Sequence, residues 1–419
     1  MRKASIRNAL VLSATAALLA TACGDDGGGS AETTASAATT AAAATTAAST
    51  ATTAASATTA AAATTAASKP VEKFQIMVIG DETSTIAFTV KEAVAHAKAG
   101  LKDLPQVEVL NCDSKGDPNA AQACARDAVD KKVAAVVGSF GALAQDASIL
   151  TKAGIPYLGQ TDATGATSFL FNSGLASYTG MGVGFAKQGC KKLGVLHLEG
   201  TDFLVDTIDK GLKSEGGAPS VRAAVASNAP DLNPAIAKLT GASVDCIALS
   251  VTPPMVIQAV TAISQSGAKV KYGGVTAIFP AQIITALGPL AEGAWTFDAQ
   301  LSPTDPAPII AKVTADVASI DKDAKVTTIG LIAYSAAKMI GEAAKKVNGP
   351  VTAATLLPAL NGLGTFDSGG IYGPIVVKEQ TNPALKRLIN TSAIIYQIKG
   401  GKLERLSPDF FDISKALNS

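Results

Sequence analysis

From Phe74 onward, short apolar runs alternate with stretches of helical periodicity. The runs "FQIMVIG" (74–80), "VEVL" (107–110), "VAAVVG" (133–138), "IPYLGQ" (155–160) and "SFLFNSG" (168–174) have the continuous apolar pattern of strands buried on both faces. Between them, Ile86, Val90, Val94, Ala97 and Leu101 recur at helical spacing. Asp117-Pro118-Asn119 opens a predicted helix over 119–131, with the proline suited to its first turn. A second set follows: strands in "LGVLHLEG", "VRAAVAS", "VDCIALSV", "KVKYGGV" and "GAWTFDAQ", with helices near 176–189, 203–214, 233–240, 255–266 and 280–287. Buried strands separated by helices mean parallel sheets with right-handed crossovers. Two such sets predict an α/β protein with two doubly wound parallel-sheet lobes.

The C-terminal part reads differently. Helices are expected at 307–319, 327–347 and 352–361 with no strands between them. After "SGGIYGPIVV", the segment "TSAIIYQIKGGKLERLS" reads as a hairpin around Gly400-Gly401. This tail is too short and too mixed for a third domain, so it must add to the two lobes.

The N-terminal region has no core pattern. Arg2, Lys3 and Arg7 precede an apolar run over 9–20, then "ATACGDD", which reads as a secretory signal peptide over 1–22. The cut site resembles a bacterial lipobox, with Leu19 one place early and Cys23 as the lipidated residue. Residues 23–71 read as a linker. Within it, 30–68 hold only Ala, Thr and Ser apart from Glu32, and "ATTAAAATTAAS" occurs twice. With no large apolar side chain to bury, this stretch is expected to be a disordered tether, spanning on the order of 30 Å if coil-like.

Charge and cysteines narrow the function. The formal net charge is +1, and removing the three basic residues of the signal peptide gives +1 − 3 = −2. No basic stripe suggests nucleic acid. Export permits disulfides. Cys112 ends one strand and Cys124 lies early in the next helix, within disulfide reach, so this pair is predicted to be bonded. Cys190 and Cys246 either pair or stay as buried thiols. None of the cysteines has zinc-type spacing, and no metal or cofactor is expected.

Catalytic chemistry is hard to build. Only His96 and His197 are present, and both read as satisfied structural histidines. No GxSxG elbow, HExxH or phosphate-loop lysine occurs. "GMGVGF" (180–185) lies within a helical stretch and reads as helix packing. Asp113 and Asp117 read as turn and cap residues. The turn "GSFGA" (138–142) follows a strand and opens a helix, leaving N–H groups that suit an anion such as a carboxylate. No catalytic residue is assigned.

The stretches "CDSKGDPNAAQACARDAVDKKVAAVVGSF" and "AGIPYLGQTDAT", with the order of segments over about 73–415, resemble the type I periplasmic binding proteins, in particular the leucine/isoleucine/valine-binding branch serving ABC importers. The resemblance implies two lobes joined by three crossovers: 72–173 plus 302–388, and 174–301 plus 389–419. It places a ligand's carboxylate at Ser139, Phe140, Gly141 and Ala142 and at Thr161, Asp162, Ala163 and Thr164. From the other lobe it brings Phe203, Thr252 and Pro253, then Thr276, Ala277 and Ile278. The acidic partner that this family offers a ligand's ammonium is missing from the loop Thr276–Pro280, and Asp162, Asp202 and Asp298 are its possible substitutes. Ala142 stands near a usual serine. The resemblance further implies a monomer that binds a branched-chain amino acid or a similar small apolar carboxylate or amide. It would work with ABC permease subunits at the outer face of the cell membrane, held by a lipid on Cys23. A ligand-sensing lipoprotein that signals through a membrane partner fits the same residues; an exported enzyme fits less well.

Overall fold

The computed structural model describes residues 71–83, 91–138 and 147–419. Strands β1 (Phe74–Gly80), β2 (Val107–Asp113), β3 (Ala135–Gly138), β4 (Tyr157–Gly159) and β5 (Ser168–Leu170) form a fully parallel sheet in the order β2-β1-β3-β4-β5. Helices α1 (Ala93–Gly100), α2 (Pro118–Asp130) and α3 (Ser148–Lys152) connect its strands. Apolar runs become strands here because both faces are covered: Ile76 and Val78 enter one core cluster, and Met77 and Ile79 enter another. Asp117 caps α2, accepting from the Ala120 amide at 2.8 Å, and Pro118 fills the first turn as the sequence predicts.

After α4 (Gly174–Lys187) the same plan repeats. Strands β6 (Leu193–Leu198), β7 (Val221–Val225), β8 (Cys246–Ser250), β9 (Lys271–Val275) and β10 (Trp295–Asp298) run parallel in the order β7-β6-β8-β9-β10. They alternate with α5 (Asp202–Ser214), α6 (Asn233–Gly241), α7 (Pro253–Gln265) and α8 (Ala281–Leu287). "GMGVGF" packs helices as expected: a Cβ on Gly182 would lie 2.1 Å from the Ile208 carbonyl oxygen of α5, so only glycine lets α4 and α5 approach this closely.

The chain then returns to the first sheet. Helices α9 (Pro308–Ile320), α10 (Thr328–Ala344) and α11 (Ala353–Asn361) share a core with β1 and α1 through Val313, Leu331, Ile340 and Leu356. After the small pair β11 (Thr365–Phe366) and β12 (Ile375–Val376), the chain crosses once more. Strands β13 (Ser392–Lys399) and β14 (Lys402–Arg405) are the hairpin read from the sequence; β13 adds antiparallel to β10, with β15 (Phe411–Asp412) on β13 and α12 (Ser414–Leu417) ending the chain. Two doubly wound lobes joined by three crossovers are therefore the observed architecture. The second crossing is strapped to the β13–β14 hairpin: Asp305 pairs with Arg405 (Nε to Oδ2 2.6 Å) and accepts from Tyr396 Oη at 3.0 Å, while Tyr396 Oη accepts from the Ser302 amide at 2.8 Å. Burial pushes the Asp305 carboxyl up, but the bonds from Arg405, the Ala307 amide and Tyr396 hold it below its ordinary value.

Both cysteine pairs are bonded. Cys112–Cys124 ties the end of β2 to α2 with Cα atoms 5.7 Å apart, and Cys190–Cys246 ties the turn after α4 to the start of β8 at 5.9 Å. The second bond resolves what the sequence left open. One expectation is corrected: His96 is buried and its Nδ1 lies 2.7 Å from the Glu92 carbonyl oxygen, but Nε2 has no partner among the described residues. It is half satisfied, and burial lowers its pKa. Among the described residues no helix is long and apolar enough to cross a membrane.

Candidate functional site

In open α/β sheets, ligands gather beyond the carboxyl ends of the strands, at the point where strand order reverses. The first sheet reverses between β1 and β3, the second between β6 and β8. Each carboxyl edge is built differently.

At the first edge, β1 runs into Asp81, which is 4% exposed and accepts from Ser114 Oγ. Asp113, at the end of β2, accepts from the amides of Glu82 (2.9 Å) and Lys115 (2.9 Å) and from Thr83 Oγ1 (2.5 Å). These bonds hold its pKa below normal against the opposing push of burial. Tyr157 stands at the start of β4, with Oη 3.4 Å from the Gln160 carbonyl oxygen. Burial, then the charges of Asp81 and Asp162, push its phenol well up. Gly138 is required here, because a Cβ would lie 2.1 Å from the Tyr157 ring.

The predicted residues of this edge fall into two groups. Ser139, Phe140, Gly141 and Ala142 lie outside the described residues. The loop after β4 is described: Thr161 is buried, and Asp162 Oδ1 accepts from both the amide and Oγ1 of Thr164 at 2.8 Å. The Ala163 carbonyl oxygen accepts from the Arg387 amide at 2.8 Å, so this loop is tied to the third crossing.

The second edge leaves more unpartnered. His197 and Ser250 are paired in register across β6 and β8, at the reversal point. His197 is buried, with Nδ1 3.0 Å from the Leu198 carbonyl oxygen and Nε2 3.9 Å from Asp202 Oδ1. Ser250 is 3% exposed and its Oγ has no partner among the described residues. Phe203, in the first turn of α5, is 57% exposed. Thr252 is the exposed N-cap of α7, with Pro253 and Pro254 behind it, so two of that helix's first amides are absent. Thr276 and Ala277 open a 3-10 turn after β9, whereas Ile278 is buried in the core of this sheet.

Next to Thr276 lies Asp298, the last residue of β10. Its Oδ1 accepts from the Ala299 amide at 2.7 Å, and the Thr276 hydroxyl nearby lies 3.2 Å from the Phe297 carbonyl oxygen, to which it donates. No cation is among these partners, and burial pushes it up to about 6. Two residues on, Gln300 Nε2 donates to the Thr328 carbonyl oxygen at the start of α10, and Gln300 Oε1 accepts from Tyr372 Oη, both at 2.8 Å. Asp298 thus sits where the chain leaves the second lobe for the first. The structure ties Thr276 to the end of β10 through the Phe297 carbonyl and buries Ile278 in the core instead.

Several of these groups are not prominent in the sequence. Asp81, Ser114 and Tyr157 come from three elements of the first lobe, and His197 and Ser250 are 53 positions apart, joined only by strand register. A strand order assumed from the doubly wound pattern is the signal that marks the last residues of β1, β3, β6 and β8.

Comparison with known proteins agrees with this architecture. Solved structures with the same fold include a putative branched-chain amino acid ABC transporter protein from Rhodospirillum rubrum (18% identity, TM-score 0.68, covering 80% of this chain and 100% of that one). A solute-binding protein from R. palustris in complex with 4-hydroxybenzoate matches at 17% identity and TM-score 0.62, over 81% and 97%. A fatty acid ABC transporter substrate-binding protein from Thermomonospora curvata matches at 16% and 0.62, over 83% and 94%. No curated protein matches in sequence. The family model described as periplasmic binding protein matches residues 73–402, nearly the whole of both lobes, and the chain therefore belongs to the periplasmic binding protein family.

Proposed function

We propose that this chain is the exported solute receptor of an ABC importer, working as a monomer held to the outer face of the membrane through a lipid on Cys23. It performs no chemistry. A small solute enters between the two carboxyl edges, and hinge motion at the three crossovers closes the lobes over it. On this reading 72–173 with 302–388 moves against 174–301 with 389–419, and 23–71 is the tether.

The observation that carries this reading is the strand order, which repeats in the two sheets and puts a point of reversal at the carboxyl edge of each. Similar folds occur in proteins named for branched-chain amino acids, 4-hydroxybenzoate and fatty acids, so the scaffold suits small carboxylates of varied shape. Thr161, the backbone of 162–164 and the turn 139–142 are assigned to the carboxylate. Phe203, Thr252, Pro253, Thr276 and Ala277 are assigned to the rest of the ligand, with Ile278 behind them. A branched-chain amino acid or a small apolar carboxylate or amide is the expected class.

A thermal-shift screen of amino acids and apolar carboxylates tests this. A true ligand at a hundredfold its Kd stabilises the folded state by about 2.7 kcal/mol, a clear rise in Tm. A flat response across the screen would contradict the reading. For the anchor, Cys23→Ala should release the protein into the medium, and retention on the membrane would refute it.

A further inference from the structure

A recess lies away from the two carboxyl edges, where the third crossing runs beside the first sheet. Residues 387–389 add to that sheet next to β5: the Leu170 amide donates to the Arg387 carbonyl oxygen and the Ile389 amide to that of Leu170, both at 3.0 Å. The recess holds about 340 Å³ and is lined by Arg387, Lys378, Glu379 and Asn361 against an apolar wall that includes Ala166 and Ile389. Arg387 is buried, its side chain 8% exposed. Three contacts fix its guanidinium. Nε donates to the carbonyl oxygen of Ser168, the first residue of β5, at 2.7 Å, and Nη2 donates to Asn361 Oδ1 at 3.1 Å. The guanidinium carbon stands 4.7 Å from the centre of the Phe169 ring. A fourth contact is long: Nη1 donates to Glu379 Oε1 at 3.4 Å. An arginine has five N–H donors, so two of these have no partner among the described residues. Glu379 is half exposed and shared with Lys386, whose Nζ lies 3.3 Å away.

We propose that this recess is a second ligand site, separate from the carboxyl edges, that takes a small doubly charged oxyanion: phosphate or a compact phosphate monoester. The charges there are unbalanced. Arg387, Lys378 and Lys386 bring three positive charges against the single negative charge of Glu379, 3 − 1 = +2. A buried cation with one distant, shared acid is poorly compensated, and a bound dianion completes the pairing. The donors fit the same ligand. Lys378 Nζ and Asn361 Nδ2 make no bond among the described residues, so both can donate beside the two remaining guanidinium N–H groups. A planar guanidinium offers paired N–H groups to two oxygens of one phosphate. Because Ser168, Asn361 and the Phe169 ring already hold it in place, little side-chain ordering is left for binding to impose. Burial lowers the pKa of Arg387, and Glu379 opposes this without cancelling it, as expected for a cation short of counter-charge.

The test uses the full mature chain with inorganic phosphate as the probe, by calorimetry at about pH 8, where phosphate is chiefly the dianion, and at ionic strength held constant with chloride. One phosphate should bind per chain with a Kd on the order of 1 mM or tighter, and singly charged acetate should bind at least tenfold more weakly. Lys378→Glu reverses one charge of the recess and should weaken phosphate tenfold or more. Without phosphate its Tm should match the native protein, because Lys378 is exposed and its side chain makes no bond among the described residues. Arg387→Lys keeps the charge but loses the forked donors, and should weaken phosphate about tenfold. Circular dichroism checks the fold of Arg387→Lys; if it unfolds, Lys378→Glu decides. Phosphate binding that is absent from the native protein, or unchanged in Lys378→Glu, overturns the proposal. Acetate binding as tightly as phosphate overturns the assignment to a dianion. The solute-receptor reading stands under each of these results, because the recess is apart from the edges to which the solute is assigned.

Discussion

The two carboxyl edges share one strand order but treat their polar groups in opposite ways. The first edge satisfies its acids internally: Ser114 bonds Asp81, Thr83 and two amides bond Asp113, and Thr164 bonds Asp162. The second leaves Ser250 Oγ without a partner among the described residues and His197 Nε2 3.9 Å from Asp202, and gives Asp298 the amide of its own neighbour Ala299. An internally satisfied edge is rigid and cheap to keep folded. An unsatisfied edge costs stability in the unliganded protein and is where a ligand gains most. Equivalent topological positions can therefore differ in how far the chain satisfies its own polar groups.

The largest expected effect concerns the two disulfides, which sit at opposite ends of their sheets. Cys190–Cys246 joins the amino end of β8 across 56 positions, so replacing both cysteines should cost about 4 kcal/mol on the loop-entropy estimate. It should leave ligand affinity nearly unchanged. Cys112–Cys124 closes 12 positions at the carboxyl edge and should cost about 3 kcal/mol. Denaturant unfolding with and without ligand checks both, and an affinity loss in the Cys190/Cys246 variant would break the separation of framework from recognition.

Next in size is Ser114→Ala, which leaves the buried Asp81 carboxylate without its hydroxyl donor. A loss of roughly 1–3 kcal/mol is expected, read as a lower denaturation midpoint at constant slope. Asp298→Asn should act in the other direction. Its folded pKa is raised above the unfolded value, so its stabilising effect is present below about pH 4 and lost as pH rises through about 6. Removing the charge should therefore stabilise the unliganded protein at neutral pH by about 1 kcal/mol, after discounting for its partial exposure. Thermal unfolding at pH 7.5 and pH 4.5 measures this; a gain at both pH values would point to packing instead of charge. The smallest effect is predicted for Ser250→Ala, within about 0.5 kcal/mol of native, because no hydrogen bond is lost. A loss comparable to that of Ser114→Ala would erase the contrast between the edges.

Much of this architecture is legible in the sequence. Continuous apolar runs identify the strands of both sheets, and Asp117-Pro118 marks the start of α2 because cap and first-turn proline are local effects. The hairpin around Gly400-Gly401 is equally local: both glycines adopt positive φ (54° and 75°). The Cys112–Cys124 bond follows from a strand and the helix after it. What the sequence hides depends on register between distant segments. Cys190 meets Cys246, His197 meets Ser250, and Thr276 meets the Phe297 carbonyl only after the parallel order is built.

Hydrogen exchange on the full mature protein, with and without a saturating ligand from the screen, tests the central claim most directly. Capture between two edges predicts slowed exchange in two separate segments together, 160–165 of the first lobe and 276–280 with 298–301 of the second. Protection confined to one of these edges, or absent from both while the ligand is bound, would contradict it.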